Sequence, residues 1–288
     1  MRLGAHISAA GGLHKAFPRG QEVGCDSMLV FTKSNRQWQA KPLTAEDVAA
    51  YQEAAAEYSQ IYPVAAHASY LINLGSAHPA LWEKSYQALK IELERAEALA
   101  IPLLTFHPGA YVDGDEQTGL DNIARALKRL LEETAGFQTT LCLETMAGQG
   151  TTLGHRFEHL AYLLAQADSP DRFGVCFDTC HVFSAGYDIR TPETYAATMA
   201  EFDRVVGLDQ IKFFHFNDSK HGLGQHKDRH EHIGRGEIGL SGFANFVNDR
   251  RWTGYPAHLE TPKTEEDEAG QEVEMDPVNL AALRALKQ

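Results

Sequence analysis

Long apolar runs are missing. No window of the 288 residues approaches the roughly 18 consecutive apolar residues that a membrane-spanning helix needs. The opening Met1-Arg2-Leu3-Gly4-Ala5-His6 has no apolar core of the kind found in secretory signals, so a cytoplasmic protein with no membrane partner is expected. Cysteine is scarce too: Cys25, Cys142, Cys176 and Cys180 contain no Cys-x-x-Cys pair, which excludes a disulfide framework, a zinc ribbon and a thioredoxin-type site. Internal repeats and low-complexity tracts are absent. Basic charge is in deficit, with 26 Lys and Arg against 39 Asp and Glu and a net charge of −13. That balance looks hostile to a polyanion. However, Glu265, Glu266, Asp267, Glu268, Glu272, Glu274 and Asp276 gather in one short segment without a basic residue, and removing those seven charges from −13 leaves −6. A local field can differ in sign from the total, so nucleic acid is not excluded. The segment Thr264–Asp276 reads as an acidic loop.

What is present is a core-forming composition, 43% hydrophobic and 23% charged, that places the chain among globular proteins. Short apolar runs alternate with longer stretches of helical period. The expected strands are Leu3–Ile7, Met28–Phe31, Pro63–His67, Leu103–His107, Thr140–Glu144, Phe173–Asp178, Ile211–His215 and Tyr255–Glu260. Between and after them, helices are expected at Thr44–Tyr58, Pro79–Ala100, Leu120–Ala135, Phe157–Gln166, Pro192–Val206, Leu240–Val247 and Pro277–Leu286. Length alone admits one domain or two. A β-then-α rhythm with eight strands points to an α/β protein with a single (β/α)8 TIM-type barrel over residues 1–288. Such barrels are self-sufficient, so a monomer is expected.

The residues that end these strands carry the chemistry. Strand one ends near His6, strand three at His67, then follow His107, Glu144, Asp178, His215 and Glu260. From His67 onward the intervals are 40, 37, 34, 37 and 45 residues, each about one βα unit. A closed barrel therefore brings these side chains to its C-terminal mouth, where barrel active sites sit. Any one strand-end histidine is compatible with an ordinary structural hydrogen bond. Five imidazoles and carboxylates in one mouth are harder to account for that way, because their desolvation and mutual repulsion need an offset. Two further clusters, Asp178-Thr179-Cys180-His181 and Asp228-Arg229-His230, have spacings suited to local chelation. The candidate ligands are then nine: His67, His107, Glu144, Asp178, His181, His215, Asp228, His230 and Glu260. At about three protein ligands per catalytic zinc, nine suit three ions with open positions for solvent and substrate. Histidine and carboxylate without thiolate favour zinc or manganese. Three divalent ions, four carboxylates and a bridging hydroxide together leave a charge of about +1, which favours an anionic substrate and in-line displacement at a phosphodiester. Metal-assisted phosphoester hydrolysis is the chemistry expected.

At this point the motifs are identifiable. Gly4-Ala5-His6-Ile7-Ser8-Ala9-Ala10-Gly11-Gly12, Phe31-Thr32-Lys33 with Arg36-Gln37-Trp38, and His67 with Ser69-Tyr70-Leu71-Ile72-Asn73-Leu74 come first. Phe106-His107-Pro108-Gly109, Glu144 with Ala147-Gly148-Gln149-Gly150, and Asp178-Thr179-Cys180-His181 follow. His215-Phe216-Asn217-Asp218-Ser219-Lys220, Asp228-Arg229-His230-Glu231 and Glu260-Thr261-Pro262 close the set. Nearly end to end, the chain resembles the endonuclease IV family of apurinic/apyrimidinic DNA-repair endonucleases.

The resemblance implies three Zn2+ held by the nine residues above, with Mn2+ admitted at one position. It implies duplex DNA containing abasic sites as the partner and base excision repair as the setting. The implied reaction is hydrolysis of the phosphodiester 5′ to an abasic site, leaving a 3′-hydroxyl and a 5′-deoxyribose phosphate, by attack of a metal-bridging hydroxide on phosphorus. Glu144 matches the carboxylate that bridges two metals and Glu260 the one that orients or deprotonates the attacking water, which makes these two the catalytic candidates. Arg36, Tyr70 and Leu71 match residues that enter the duplex, and apolar wedges of this kind unstack base steps. An abasic nucleotide costs less to extrude than an intact one, a source of selectivity. Lys33, Lys41, Lys220, Lys227, Arg229 and Arg235 are candidate phosphate contacts, which position rather than specify.

The chain departs from the family pattern at Thr145 and His232, where asparagine is usual, and at Ala110-Tyr111, where Ser-His is usual. These departures bear on rate and metal preference more than on reaction class. His258, two residues before Glu260, is expected to face the barrel interior, as a hydrogen-bond donor to a ligand or as a core residue. His14, His78, His155, His159, His221 and His226 receive no role. Two rivals stand beside the nuclease: a sugar isomerase or epimerase on a similar barrel, needing one or two ions, and a noncatalytic metal-dependent binder of damaged DNA.

Overall fold

The structure is a computed structural model that describes every residue except Pro170 and Glu268. Eight parallel strands, β1 (Arg2–His6), β2 (Ser27–Val30), β3 (Val64–His67), β4 (Leu103–Phe106), β5 (Thr140–Glu144), β6 (Phe173–Asp178), β7 (Ile211–His215) and β8 (Pro256–Leu259), close into a barrel. Each strand pairs with its neighbours in sequence, and β1 closes the ring by pairing with β8. Gly4 lies opposite both Ser27 and His258 in this closure. A Cβ at Gly4 would stand 1.6 Å from the Ser27 carbonyl oxygen, so this strand contact admits only glycine. The expected α/β barrel is observed.

A strand points alternate side chains to opposite faces, and this period of two builds the interior in layers. Leu29, Ala65, Cys142, Cys176 and Phe213, with Leu103 packed beside them, form a small apolar plug separate from the main core. Two residues further along the same strands stand Phe31, His67, Glu144, Asp178, His215 and Thr105. Gly4 and Glu260 obey the same rule, with His6 two residues beyond the first and His258 two residues before the second. The larger core fills the space between the sheet and the surrounding helices. All four cysteines are free and buried.

The helices are α1 (Ala16–Val23), α2 (Ala45–Glu57), α3 (Pro79–Ala98), α4 (Glu116–Glu133), α5 (Phe157–Ala167), α6 (Thr179–Ala185), α7 (Pro192–Val205), α8 (Gly239–Val247) and α9 (Met275–Ala285). Thr44 and Thr191 begin α2 and α7 with capping boxes, and Pro192 follows Thr191 in the first turn. Helix α4 starts four residues before its expected Leu120 because Asp115 caps it, accepting from the Thr118 N–H at 2.9 Å. Two helices escape the sequence reading. Pro18 and Gly20 disguise α1, and α6 is only 7 residues long.

The acidic segment corrects another expectation. Rather than an open loop, Thr264–Glu266 and Glu272–Glu274 pair as an antiparallel ribbon and α9 begins directly after it at Met275. Glu268, one of its seven acids, lies outside the described residues. No helix among the described residues is long and apolar enough to cross a membrane.

Candidate metal centre

The mouth of the barrel gathers all nine expected ligands. His67, Glu144, Asp178 and His215 are the last residues of β3, β5, β6 and β7, while His107 and Glu260 stand one residue beyond β4 and β8. Asp178 doubles as the N-cap of α6, where its Oδ1 accepts the His181 N–H at 2.8 Å. That cap is why four consecutive residues supply two of the nine groups: residues i and i+3 of a helical turn share a face. His230 is fixed by a short ribbon in which Asp218–Ser219 pairs with His230–Glu231, and Asp228 comes from the loop leading into it.

Four overlapping groups of candidate ligand atoms emerge; one, Glu144, Cys176 and His215, relies on a buried thiol whose pKa burial pushes up to about 12, and the other three are built from histidines and acids alone. His67, His107 and Glu144 converge on one point, Glu144, Asp178, His215 and Glu260 on a second, and Asp178, His181 and His230 on a third. Asp228 joins the third, its Oδ1 lying 3.2 Å from His181 Nε2 and 3.4 Å from His230 Nε2. Glu144 is shared because its two oxygens face different ways. Oε2 is 3.2 Å from His67 Nε2 and 3.7 Å from His107 Nε2, whereas Oε1 is 3.1 Å from His215 Nδ1.

Hydrogen bonding fixes which imidazole nitrogens are free. His67 Nδ1 donates to the Ala68 carbonyl at 2.6 Å, His181 Nδ1 to the Thr145 carbonyl at 2.8 Å and His230 Nδ1 to the Glu260 carbonyl at 3.1 Å. Their Nε2 atoms are buried without a hydrogen-bond partner and face the carboxylates. A histidine that donates one ring N–H to a carbonyl presents the other nitrogen as a lone pair, the usual posture of a metal ligand. Three such histidines around buried carboxylates are a donor set that fits divalent ions and fits little else.

The electrostatics agree. Burial alone raises a carboxyl pKa, yet beside His215 and His107, and with hydrogen bonds from His181 and His215, Glu144 is held well below the usual carboxylate range. Glu260 is held low in the same way by His215 and His6 against its burial. Burial depresses the histidines, but Asp178 and Asp228 overcome it at His181, which sits well above its ordinary value. The carboxylates therefore favour positive charge in the pocket, whether as a proton on His181 or as a bound cation.

Several residues outside the nine brace the site. His6 donates from Nδ1 to Glu260 Oε1 at 2.9 Å and packs on Phe31 with ring centroids 4.2 Å apart. The sequence marks it as a strand-end histidine but does not show its bond to Glu260. Asn217 donates to Asp178 Oδ2 at 2.7 Å and accepts the Glu260 N–H at 2.8 Å, bracing two acids at once. Thr145, one of the departures, accepts the Asp178 N–H on its hydroxyl at 2.9 Å while its carbonyl holds His181. His232, another departure, is bonded to Asn279 at 3.1 Å. His258 is buried as expected, but it bonds Ser27 Oγ at 2.8 Å and touches no ligand by hydrogen bond.

Around the centre the mouth is open. A cleft of about 770 Å³ lined by His6, Phe31, Tyr70, Glu260 and Lys263 adjoins a smaller pocket of about 340 Å³ lined by Tyr70, His107, His181, Asp228, His230 and Glu260. Tyr70 stands between them, 50% exposed, with its ring 5.0 Å from that of His67 and 5.3 Å from that of His107. Arg36 is exposed on the loop after β2, and Leu71 is half-buried beside Tyr70. Lys41, Lys220, Lys227, Arg229 and Arg235 are exposed. Lys33 is not: its side chain is 3% exposed and its Nζ lies 3.1 Å from Glu92 Oε1, so it is withdrawn from any phosphate.

Comparison with known proteins bears on this geometry directly. A family model described as xylose isomerase-like TIM barrel matches residues 17–277. The chain is 52% identical over 285 residues to the probable endonuclease 4 of Chloroflexus aggregans, covering 99% of this chain and 97% of that protein. It is 47% identical over 284 residues to the probable endonuclease 4 of Geobacter sulfurreducens, covering 99% and 94%. The crystal structure of endonuclease IV from Thermus thermophilus matches with a TM-score of 0.84 at 34% identity, covering 99% and 98%. A D-tagatose 3-epimerase-like protein matches with a TM-score of 0.72 at 19% identity, covering 99% and 97%, and shares the fold alone. The chain belongs to the endonuclease IV family of apurinic/apyrimidinic endonucleases and is an enzyme of that class.

Proposed function

We propose that the protein hydrolyses the phosphodiester 5′ to an abasic site in duplex DNA, leaving a 3′-hydroxyl and a 5′-deoxyribose phosphate, with three Zn2+ held by the nine mouth residues. The observation that carries this reading is the shared carboxylate of Glu144, which faces two different groups of histidines, with Asp178 linking the second group to a third. His67, His107 and Glu144 would hold one ion, Glu144, Asp178, His215 and Glu260 a second, and His181, Asp228 and His230 a third. When bound, such ions lower the pKa of water and act as Lewis acids toward phosphoryl oxygens.

The chain's own residues do the rest. Glu260, held by His6 on one oxygen, is oriented to take a proton from the attacking water. Asn217 and Thr145 keep Asp178 and His181 from rotating. Phe31 and the ring of Tyr70 border the centre. Arg36, Tyr70 and Leu71 would enter the duplex and occupy the gap left by the missing base. Extrusion of the abasic nucleotide forfeits no base stacking, so selectivity follows from the lower cost of opening the helix at that point.

The test is a duplex oligonucleotide carrying one abasic analogue, incubated with protein purified without chelator and analysed for metal. Nicking on the 5′ side, with about three transition ions per chain, supports the reading. Binding without nicking refutes it in favour of a damage-binding protein.

A further inference from the structure

Helix α3 carries a charge where its pattern calls for an apolar residue. Its buried face runs through Trp82, Ser85, Tyr86, Ala88, Leu89, Glu92, Leu93 and Ala96, and Glu92 is 1% exposed. A carboxylate is found in such a position only when it is paired and hydrogen-bonded. Its partners all come from two loops of the mouth. Oε1 lies 3.1 Å from Lys33 Nζ and accepts the Ser69 N–H at 3.1 Å, and Oε2 accepts the Thr32 hydroxyl at 3.0 Å. Thr32 and Lys33 belong to the loop after β2, Ser69 to the loop after β3.

The contacts continue outward from both partners. Lys33 Nζ donates to the Gln37 carbonyl at 2.7 Å and so closes the turn that presents Arg36. Ser69 Oγ donates to the Asn35 carbonyl at 2.6 Å and accepts the Leu71 N–H at 3.3 Å. Arg95, one turn along α3, donates to the Thr32 carbonyl and, at 2.9 Å, to the Lys41 carbonyl. One buried acid thereby ties the segment carrying Arg36 to the segment carrying Tyr70 and Leu71. No hydrogen bond or ion pair of this network includes a candidate metal ligand.

We infer that Glu92 is a positioning residue for recognition of the abasic duplex: through Lys33 and Ser69 it sets the two duplex-entering loops in one fixed relation before DNA arrives. This inference rests on the proposed function. Rigid loops pay less ordering entropy on binding, and the metal centre is built from other residues, so loss of Glu92 acts on substrate capture and leaves the chemistry intact.

The experiment measures steady-state nicking of a duplex with a single tetrahydrofuran abasic analogue by the zinc-loaded wild type, Glu92→Gln, Ser69→Ala and Thr32→Val. Zinc content is determined for each. Glu92→Gln is expected to raise KM about tenfold with kcat within about twofold of wild type, and Ser69→Ala to raise KM about threefold, the split that marks lost binding rather than lost chemistry. Because Glu92→Gln leaves Lys33 buried without its counter-charge and can fail to fold, and Ser69→Ala leaves the Ser69 N–H bond to Glu92 in place, Thr32→Val, which removes only the hydroxyl that donates to Glu92 Oε2 and is expected to raise KM about threefold, then decides. An unchanged KM in the folded variants, or a fall in kcat with KM unmoved, overturns the inference while leaving the proposed function in place. A wild type that does not nick the duplex removes both.

Discussion

Glu260 combines a fixed orientation with access to solvent. His6 and His215 hold its two oxygens at 2.9 and 3.1 Å, yet 8% of its side chain is exposed, whereas Glu144 and Asp178 are fully buried. This is the placement required of a group that exchanges a proton with water above the centre. Glu260→Gln keeps the volume and one acceptor oxygen, sets an NH2 against the other imidazole, and cannot take a proton. Its kcat is expected to fall about 10²- to 10⁴-fold with the Kd for an abasic duplex changed less than about threefold, measured by single-turnover nicking and by fluorescence anisotropy. Unchanged turnover would remove the proton-accepting role. At this scale the gathering of six groups at the mouth was legible in the sequence because strand-end histidines and acids recur at βα spacing, and His181, Asp228 and His230 were legible from two local clusters. The bracing residues were not. The barrel reading brings His6 and Glu260, 254 residues apart, to the same rim, but does not give their hydrogen bond or place Asn217 between Asp178 and the Glu260 backbone. Such contacts depend on strand register, which local pattern does not encode.

Among the elements, the loop after β7 shows how polar satisfaction shapes a site. Asp218 is fully buried, and its carboxylate accepts the N–H groups of Ser219, Ile238, Gly234, Gly236 and Gly239 at 2.8 to 3.2 Å. It thereby folds the segment Gly234–Gly239 back against the ribbon that presents His230. A Cβ at Gly236 would stand 2.4 Å from the Ser219 carbonyl oxygen, so the return path is narrow as well as tethered. Asp218→Ala strands five donors and is expected to cost about 2–4 kcal/mol of stability, read from urea unfolding. Faster amide exchange across residues 230–239 would accompany it. A loss below about 0.5 kcal/mol, the size of an ordinary surface change, would show that water replaces the carboxylate. Strands and long helices were legible from periodicity, but α6 was not. Its single buried stretch, Thr179–Ser184, shows no amphipathic period, because a short helix inside the mouth is surrounded on all sides.

For the whole molecule, the central fact is a concentration of charge. Four carboxylates and five imidazoles share the mouth above an apolar plug of Leu29, Ala65, Cys142, Cys176 and Phe213, and divalent ions are the natural offset for that acid. Binding free energy at such a site is also folding free energy. Dialysis against a strong chelator is therefore expected to lower Tm by about 10 °C or more, reversed by zinc. Calorimetry of chelated and reloaded protein checks this, and an unshifted Tm would mean that the nine groups carry no tightly held ion. The sequence was sufficient for the barrel and its ligand-bearing rim, since alternation in a strand and one βα unit per turn of the barrel are local rules that repeat. The conversion of those groups into overlapping clusters needed the closed ring. Ring closure brings β1 beside β8 and sets how far each strand slides along the next. Those long-range distances decide which carboxylate is shared, which histidine nitrogen faces it and which buried acid, Glu92, joins two distant loops.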